Sequence, residues 1–147
     1  MPSRTHFALL TSAALVLLAC DNRSSGLDSV IRPATLSFYG NAENITLPDT
    51  AVAGVPTAVR VRSYGGGCVA QDRTVSAVSG RSATIRPFVR ERAPGSNVAC
   101  ADILLQFSHE VDLVFEQPGQ ATVRVDGWRE PERTPYTITR SVQVVLP

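Results

Sequence analysis

The chain has 147 residues, with 14 basic and 13 acidic side chains and a formal net charge of +1. Every basic residue is Arg, and the near balance of charge argues against a nucleic-acid partner, which would call for a basic excess. The uncharged apolar run 7–19 has 13 residues, too few to cross a bilayer as a helix, which takes about 20.

That run follows Arg4 and His6 and ends at Leu17-Leu18-Ala19-Cys20. A short positive start, an apolar core and a small residue before the cut are the parts of a secretory signal. Leu17, Ala19 and Cys20 resemble the lipobox of bacterial lipoproteins, which carries an aliphatic residue at −3, a small one at −1 and then an invariant Cys. Leu18 departs from the pattern, standing where Ala, Ser or Thr is commoner. The resemblance covers about the first 20 residues. It implies cleavage after Ala19, acylation of Cys20, and a place in the bacterial cell envelope facing the periplasm or exterior. The membrane partner would then be reached through the lipid anchor. The alternative is a plain secretory signal cut near Ala19, with Cys20 incidental.

The expected organisation is a signal over 1–19, an acylated Cys and polar tether over 20–33, and one domain over 34–147. Residues 20–147 number 128, with acids and bases equal at 13 each. That is one ordinary domain, long enough for its own core. Once Cys20 is assigned to lipid, Cys68 and Cys100 remain as an even pair in an oxidising compartment. A disulfide between them would close a loop of roughly 30 residues and stabilise by about 3–4 kcal/mol. Two Cys so far apart, without a second pair or a nearby His, do not make a zinc site. No Cys-x-x-Cys redox motif is present either. No cofactor is expected.

In chain order, Ala34–Tyr39 reads as a strand with Leu36 and Phe38 on one face, and Asn44–Leu47 as a short second piece. Thr57–Tyr64 alternates, with Val59 and Val61 on one face and Arg60 and Arg62 on the other. Gly65-Gly66-Gly67 then breaks the pattern before Cys68. Thr74–Val78 and Ser82–Arg90 form a predicted hairpin about Ser79-Gly80-Arg81, with Pro87 calling for an edge or a bulge. A polar loop is expected over Glu91–Asn97. Ile103, Leu105 and Phe107 form one apolar row, and Val111, Leu113 and Phe115 another. After the turn at Glu116–Gly119, Ala121, Val123 and Val125 oppose Thr122, Arg124 and Asp126. The last strand spans about Tyr136–Leu146. There Arg140 shares the parity of Ile138, Val142 and Val144, so a bulge or an edge position is needed.

Helical periodicity is absent after the leader, and seven to nine short strands predict an all-β antiparallel sandwich. The stretch Val111–Gly127, a strand, a Pro-Gly turn and a strand, resembles a unit near the end of many bacterial immunoglobulin-like and PKD-like domains. Two departures are visible. Ala121 and Thr122 stand where a corner tyrosine is common, and Cys68 and Cys100 do not fall where the antibody-domain bridge would. The implied fold is an immunoglobulin-like sandwich in the broad sense.

No catalytic set is legible. His109, the only His after the leader, has Ser108, Glu110 and Asp112 as neighbours. Catalytic triads are assembled from distant segments, and strand neighbours alternate faces. A turn or strand-edge role is therefore expected for it. Tyr64-Gly65-Gly66-Gly67 lacks the Lys-Ser/Thr and helix of a phosphate loop. Trp128, Arg129 and Arg133, on a charged final hairpin, form the candidate contact surface. The function expected is a non-enzymatic envelope lipoprotein whose domain binds or spaces another envelope component. The alternative is a small-ligand or glycan-binding module with Trp128 and Tyr39 or Tyr64 as stacking platforms.

Overall fold

The computed structural model describes residues 29–38, 45–93, 95 and 97–147. The expected signal over 1–19, Cys20 and Tyr39 lie outside the described residues. Within them the fold is all-β: β1 (Ser29–Pro33), β2 (Thr35–Phe38), β3 (Ile45–Thr46), β4 (Thr50–Val52), β5 (Thr57–Gly65), β6 (Val69–Ser79), β7 (Ser82–Arg92), β8 (Leu105–Leu113), β9 (Gly119–Glu130) and β10 (Thr134–Val145).

Among the described residues backbone ladders join ten strands into one curled sheet, through which one path runs β1-β7-β9-β2-β5-β3. The long hairpins β6–β7 and β9–β10 and the β5–β8 pair are antiparallel. Three pairings, β7–β9, β2–β9 and β4–β10, are parallel. The expectation of a purely antiparallel arrangement is corrected on this point, because the curl carries β2, β4 and β7 alongside strands that run the same way.

The alternating rows place the core. Val59 and Val61 of β5 are buried and Arg60 and Arg62 exposed, as their spacing requires. Ala83 and Ile85 of β7, Ala121, Val123 and Val125 of β9, and Val142 and Val144 of β10 join them, with Leu36, Leu113 and Phe115, in one cluster. Each large side chain buried there contributes about 1.5–3 kcal/mol. Arg140 needs no bulge: the β9–β10 register is continuous, and before Gln143 no described strand covers the outer side of β10. Pro87 sits where β7 changes partner from β9 to β1, next to a register shift in β6 between Gln71 and Thr74. A residue without an N–H belongs at such a break.

Three expectations are corrected. Ser29–Pro33, placed in the tether, is a strand paired with Phe88–Arg92. Trp128 is half-buried within β9, opposite Thr35 and Pro135, rather than in an exposed loop. His109 lies mid-strand in β8, a strand whose only ladder among the described residues is with β5, and it is fully buried rather than at a turn.

The two ends of the sheet differ. At one, the Gly80-Arg81 turn meets β9 through Thr122 N–H to Arg81 O, and the turn after β4 meets Phe115 and Val145. At the other, Ser29 faces Arg92, Arg92 N–H donates to Cys68 O, and Gly67 N–H donates to Ala101 O. The β9–β10 turn lies at this second end, where Glu130 and Arg133 share a cleft with Gly65–Gly67 and Cys100.

Candidate functional site

The second end holds two adjoining clefts, about 500 Å³ and about 270 Å³ in volume. Both are lined by Arg32, Glu91, Cys100 and Arg133. Val30, Val98 and Trp128 add apolar wall to the larger one.

Arg32 anchors the site from β1. Its residue is only 8% exposed. Its Nε donates to Glu91 Oε2, and one Nη donates to Pro33 O at 3.2 Å and to Thr35 Oγ1 at 3.3 Å. The guanidinium lies 5.6 Å from the centre of the Trp128 ring, within the range in which a cation is drawn to an aromatic face. Glu91 comes from β7. Its other oxygen accepts from Arg133 at 3.2 Å, and Arg133 also faces Glu130 at 3.6 Å. Arg133 adopts the left-handed backbone, φ 52°, at the tip of the β9–β10 turn. That conformation is uncommon for a non-glycine residue, and here it coincides with two carboxylate partners.

The disulfide borders the site, Cys100 lining both clefts and Cys68 the smaller one. Cys68 and Cys100 are bonded, with Cα atoms 5.2 Å apart. Gly67 lets the two segments close: a Cβ there would sit 2.6 Å from Ala101 O and 2.9 Å from its Cβ. The tight glycine turn expected beside the bridge is therefore a close approach of two backbones.

Of the expected contact residues, Trp128 and Arg133 come together in the larger cleft. Arg129, next to Trp128 on the strand, lies on the opposite face; its guanidinium sits over Tyr136 at 4.3 Å. Tyr64 is 3% exposed and so cannot offer a stacking face. Arg32 and Glu91 went unread as site residues. Arg32 lies in the stretch whose polar composition predicts a tether, and a single Arg carries no sequence mark of burial.

His109 forms a second polar cluster. Its Nε2 is 2.8 Å from Ser63 Oγ and its Nδ1 3.0 Å from Thr74 Oγ1. Burial holds its pKa below the ordinary histidine value. A neutral ring has one donor and one acceptor nitrogen, and a hydroxyl can complement either. Ser63 is itself fully buried, so no substrate reaches this pair, and the sequence neighbours Glu110 and Asp112 point the other way, into solvent. The cluster ties β5, β8 and β6 together. On the outer face, burial tends to raise the pKa of Asp126, but hydrogen bonds from Arg124 and Thr137 and the charge of Arg86 outweigh it and lower the pKa. Among the described residues no group of three His, Cys, Asp or Glu side chains is placed to hold a metal.

No protein-family model, curated protein or solved structure matches this chain.

Proposed function

We propose that this chain is a bacterial envelope lipoprotein, acylated at Cys20, whose single immunoglobulin-like β-sandwich acts as a binding or spacing module rather than an enzyme. The observation that carries the binding reading is the cleft beside Trp128. It is an open concavity of about 500 Å³ that combines apolar wall with arginine and glutamate side chains already fixed by one another. Pre-ordered polar groups lose little freedom when a partner arrives. In support of the sandwich, the inward rows of β5 and β8 meet those of β7, β9 and β10 in one shared core. The lipobox-like Leu17–Cys20 supports the anchor.

The test begins with the mass of the N-terminal peptide of membrane-extracted protein. It should start at an acylated Cys20, and Cys20→Ser should remove the lipid mass and release the protein from the membrane. In-cell crosslinking of the tagged protein, with Cys20→Ser as control, should then give one recurrent envelope partner. An unmodified N-terminus refutes the anchor, and no partner beyond abundant neighbours refutes the protein-binding module.

A second reading, glycan or small-ligand binding, is favoured by Trp128 lining the cleft while Arg32 packs on its ring. Aromatic faces of this kind stack on sugars. Titrating tryptophan fluorescence with envelope sugars tests it, and no shift at about millimolar sugar, near −4 kcal/mol of binding free energy, removes it.

A further inference from the structure

Resting on the anchor reading above, we infer that the domain docks onto the bilayer that holds it, with the β1 end of the sheet as its membrane-facing surface. The first observation is length. Eight residues, 21–28, separate Cys20 from the start of β1 at Ser29. Fully extended, that segment reaches about 30 Å. The sheet is longer than this: β9, with 12 residues, spans about 40 Å at 3.3 Å per residue. The β1 end is therefore the end held near the headgroups.

The second observation is what that end exposes. Val30 and Ile31 of β1 are 51% and 43% exposed, Val98 is 51%, and Ile103 and Leu104 are 52% and 48%. The first three residues of β1 are exposed on both faces, where the chain enters the domain. Single exposed apolar residues are ordinary, but a group of them gathered at one end of a domain marks an interaction surface. Trp128 sits among them in the cleft wall with Val30 and Val98, and tryptophan favours the membrane–water boundary. Val55, Val78, Val145 and Leu146 are also exposed but belong to the opposite end, beside the turn after β4, the β6–β7 turn and the end of β10, and Val75 lies midway along β6. The tether selects between the two ends.

Charge defines the kind of contact. At the β1 end Arg32, Arg92, Arg129 and Arg133 are set against Glu91, Glu130, Glu132 and Asp102. With no positive excess, attraction to anionic lipid does not drive the contact. The surface fits the apolar–polar boundary of a bilayer, with the apolar side chains entering the headgroup layer and the paired charges staying in water.

Trp128 is the only tryptophan of the chain, so its emission reports on this end alone. The full-length lipidated protein would be placed in phosphatidylcholine vesicles with or without brominated acyl chains, which quench tryptophan at near contact. The expected result is flotation with the vesicles and loss of Trp128 emission in brominated lipid, unchanged by high salt. The triple variant Val30→Ser, Ile103→Ser, Leu104→Ser should still float and keep its disulfide, but recover its emission. Flotation with undiminished emission overturns the docking and leaves the anchor standing. Quenching that requires anionic lipid and vanishes in salt overturns the apolar contact. Absence of the acyl mass together with failure to float overturns the anchor reading, and the docking with it.

Discussion

Acidification should destabilise this protein through one histidine before its carboxylates matter. His109 is fully buried between Ser63 and Thr74, and desolvation lowers its pKa from 6.5. In the unfolded chain it regains the ordinary value. Between those two values the unfolded state binds more protons, so stability falls as pH falls. The loss begins as pH drops through about 6.5 and stops only below the folded-state pKa. Its slope approaches, at most, about 1.4 kcal/mol per pH unit. The window is clean. His109 is the only histidine among the described residues, and Asp72 and Asp126, both with lowered pKa values, act below their ordinary value of 3.8. The assay is urea unfolding at pH 7.5, 6.0 and 5.0 for the natural chain and for His109→Gln. The Gln variant should be weaker at pH 7.5 by about 1–3 kcal/mol, the cost of leaving a buried hydroxyl poorly paired. It should then stay flat down to pH 5. Equal slopes in the two proteins, or a natural chain that gains stability on acidification, would refute the reasoning.

Four other perturbations test separate parts of the fold. Cys68 and Cys100 should resist alkylation until reduced, and Cys100→Ser should lower the unfolding free energy by about 3–4 kcal/mol; immediate labelling of both thiols would contradict the bridge. Glu91→Gln leaves the buried Arg32 without its charge partner and should cost about 3 kcal/mol by urea midpoint. Replacing the exposed pair Arg60 and Glu110 should change little, below about 1 kcal/mol. Gly127→Ala places a Cβ 2.5 Å from Ala34 O and 2.6 Å from Leu36 Cγ. It should destabilise by about 1–3 kcal/mol through overpacking, seen as a lower melting temperature.

The sequence made β5, β7 and β9 legible because each alternates along most of its length, whereas β6, mostly exposed and without alternation, is legible only from Thr74 onward. Thr57–Gly65, Ser82–Arg92 and Gly119–Glu130 bury one parity and expose the other, and the Gly80 turn has the positive φ that its place in a two-residue hairpin requires. Where alternation gave way to other forces, the reading failed. β1 is five residues long, ends at Pro33 and shows no period, so only its pairing with β7 defines it. Trp128 has the outward parity of Thr122, Arg124 and Asp126, yet Arg32 covers its ring at this end of the sheet. His109 was legible in principle. The odd positions of β8 run Leu105, Phe107, His109, Val111 and Leu113, and all of them turn inward. Reading two apolar rows with a gap between them hid the continuous one.

The Arg32 and His109 clusters share a place in the architecture. β6 and β8 exchange no ladder of backbone hydrogen bonds, yet Thr74 reaches His109 and Gln71 Nε2 donates to Ser108 O at 2.9 Å. β1 and β9 likewise form no ladder, and there Arg32 bridges to Trp128 while its other donors stay on Glu91 and Thr35. In both places side chains close a seam that the curled sheet leaves between strands. A buried polar group costs stability only when its hydrogen-bonding capacity is unmet, and among the described residues no buried side-chain nitrogen or oxygen lacks a partner. Apolar side chains at His109 and Arg32 would fill the same volume without dictating which strands meet. The polar pairs, by contrast, are satisfied in one alignment of β6 on β8 and of β1 on β9. They therefore contribute register at the seams, while the valine rows contribute the burial energy. The second seam is also the wall of the cleft beside Trp128, so the side chains that hold β1 in place are the ones that shape the candidate binding surface.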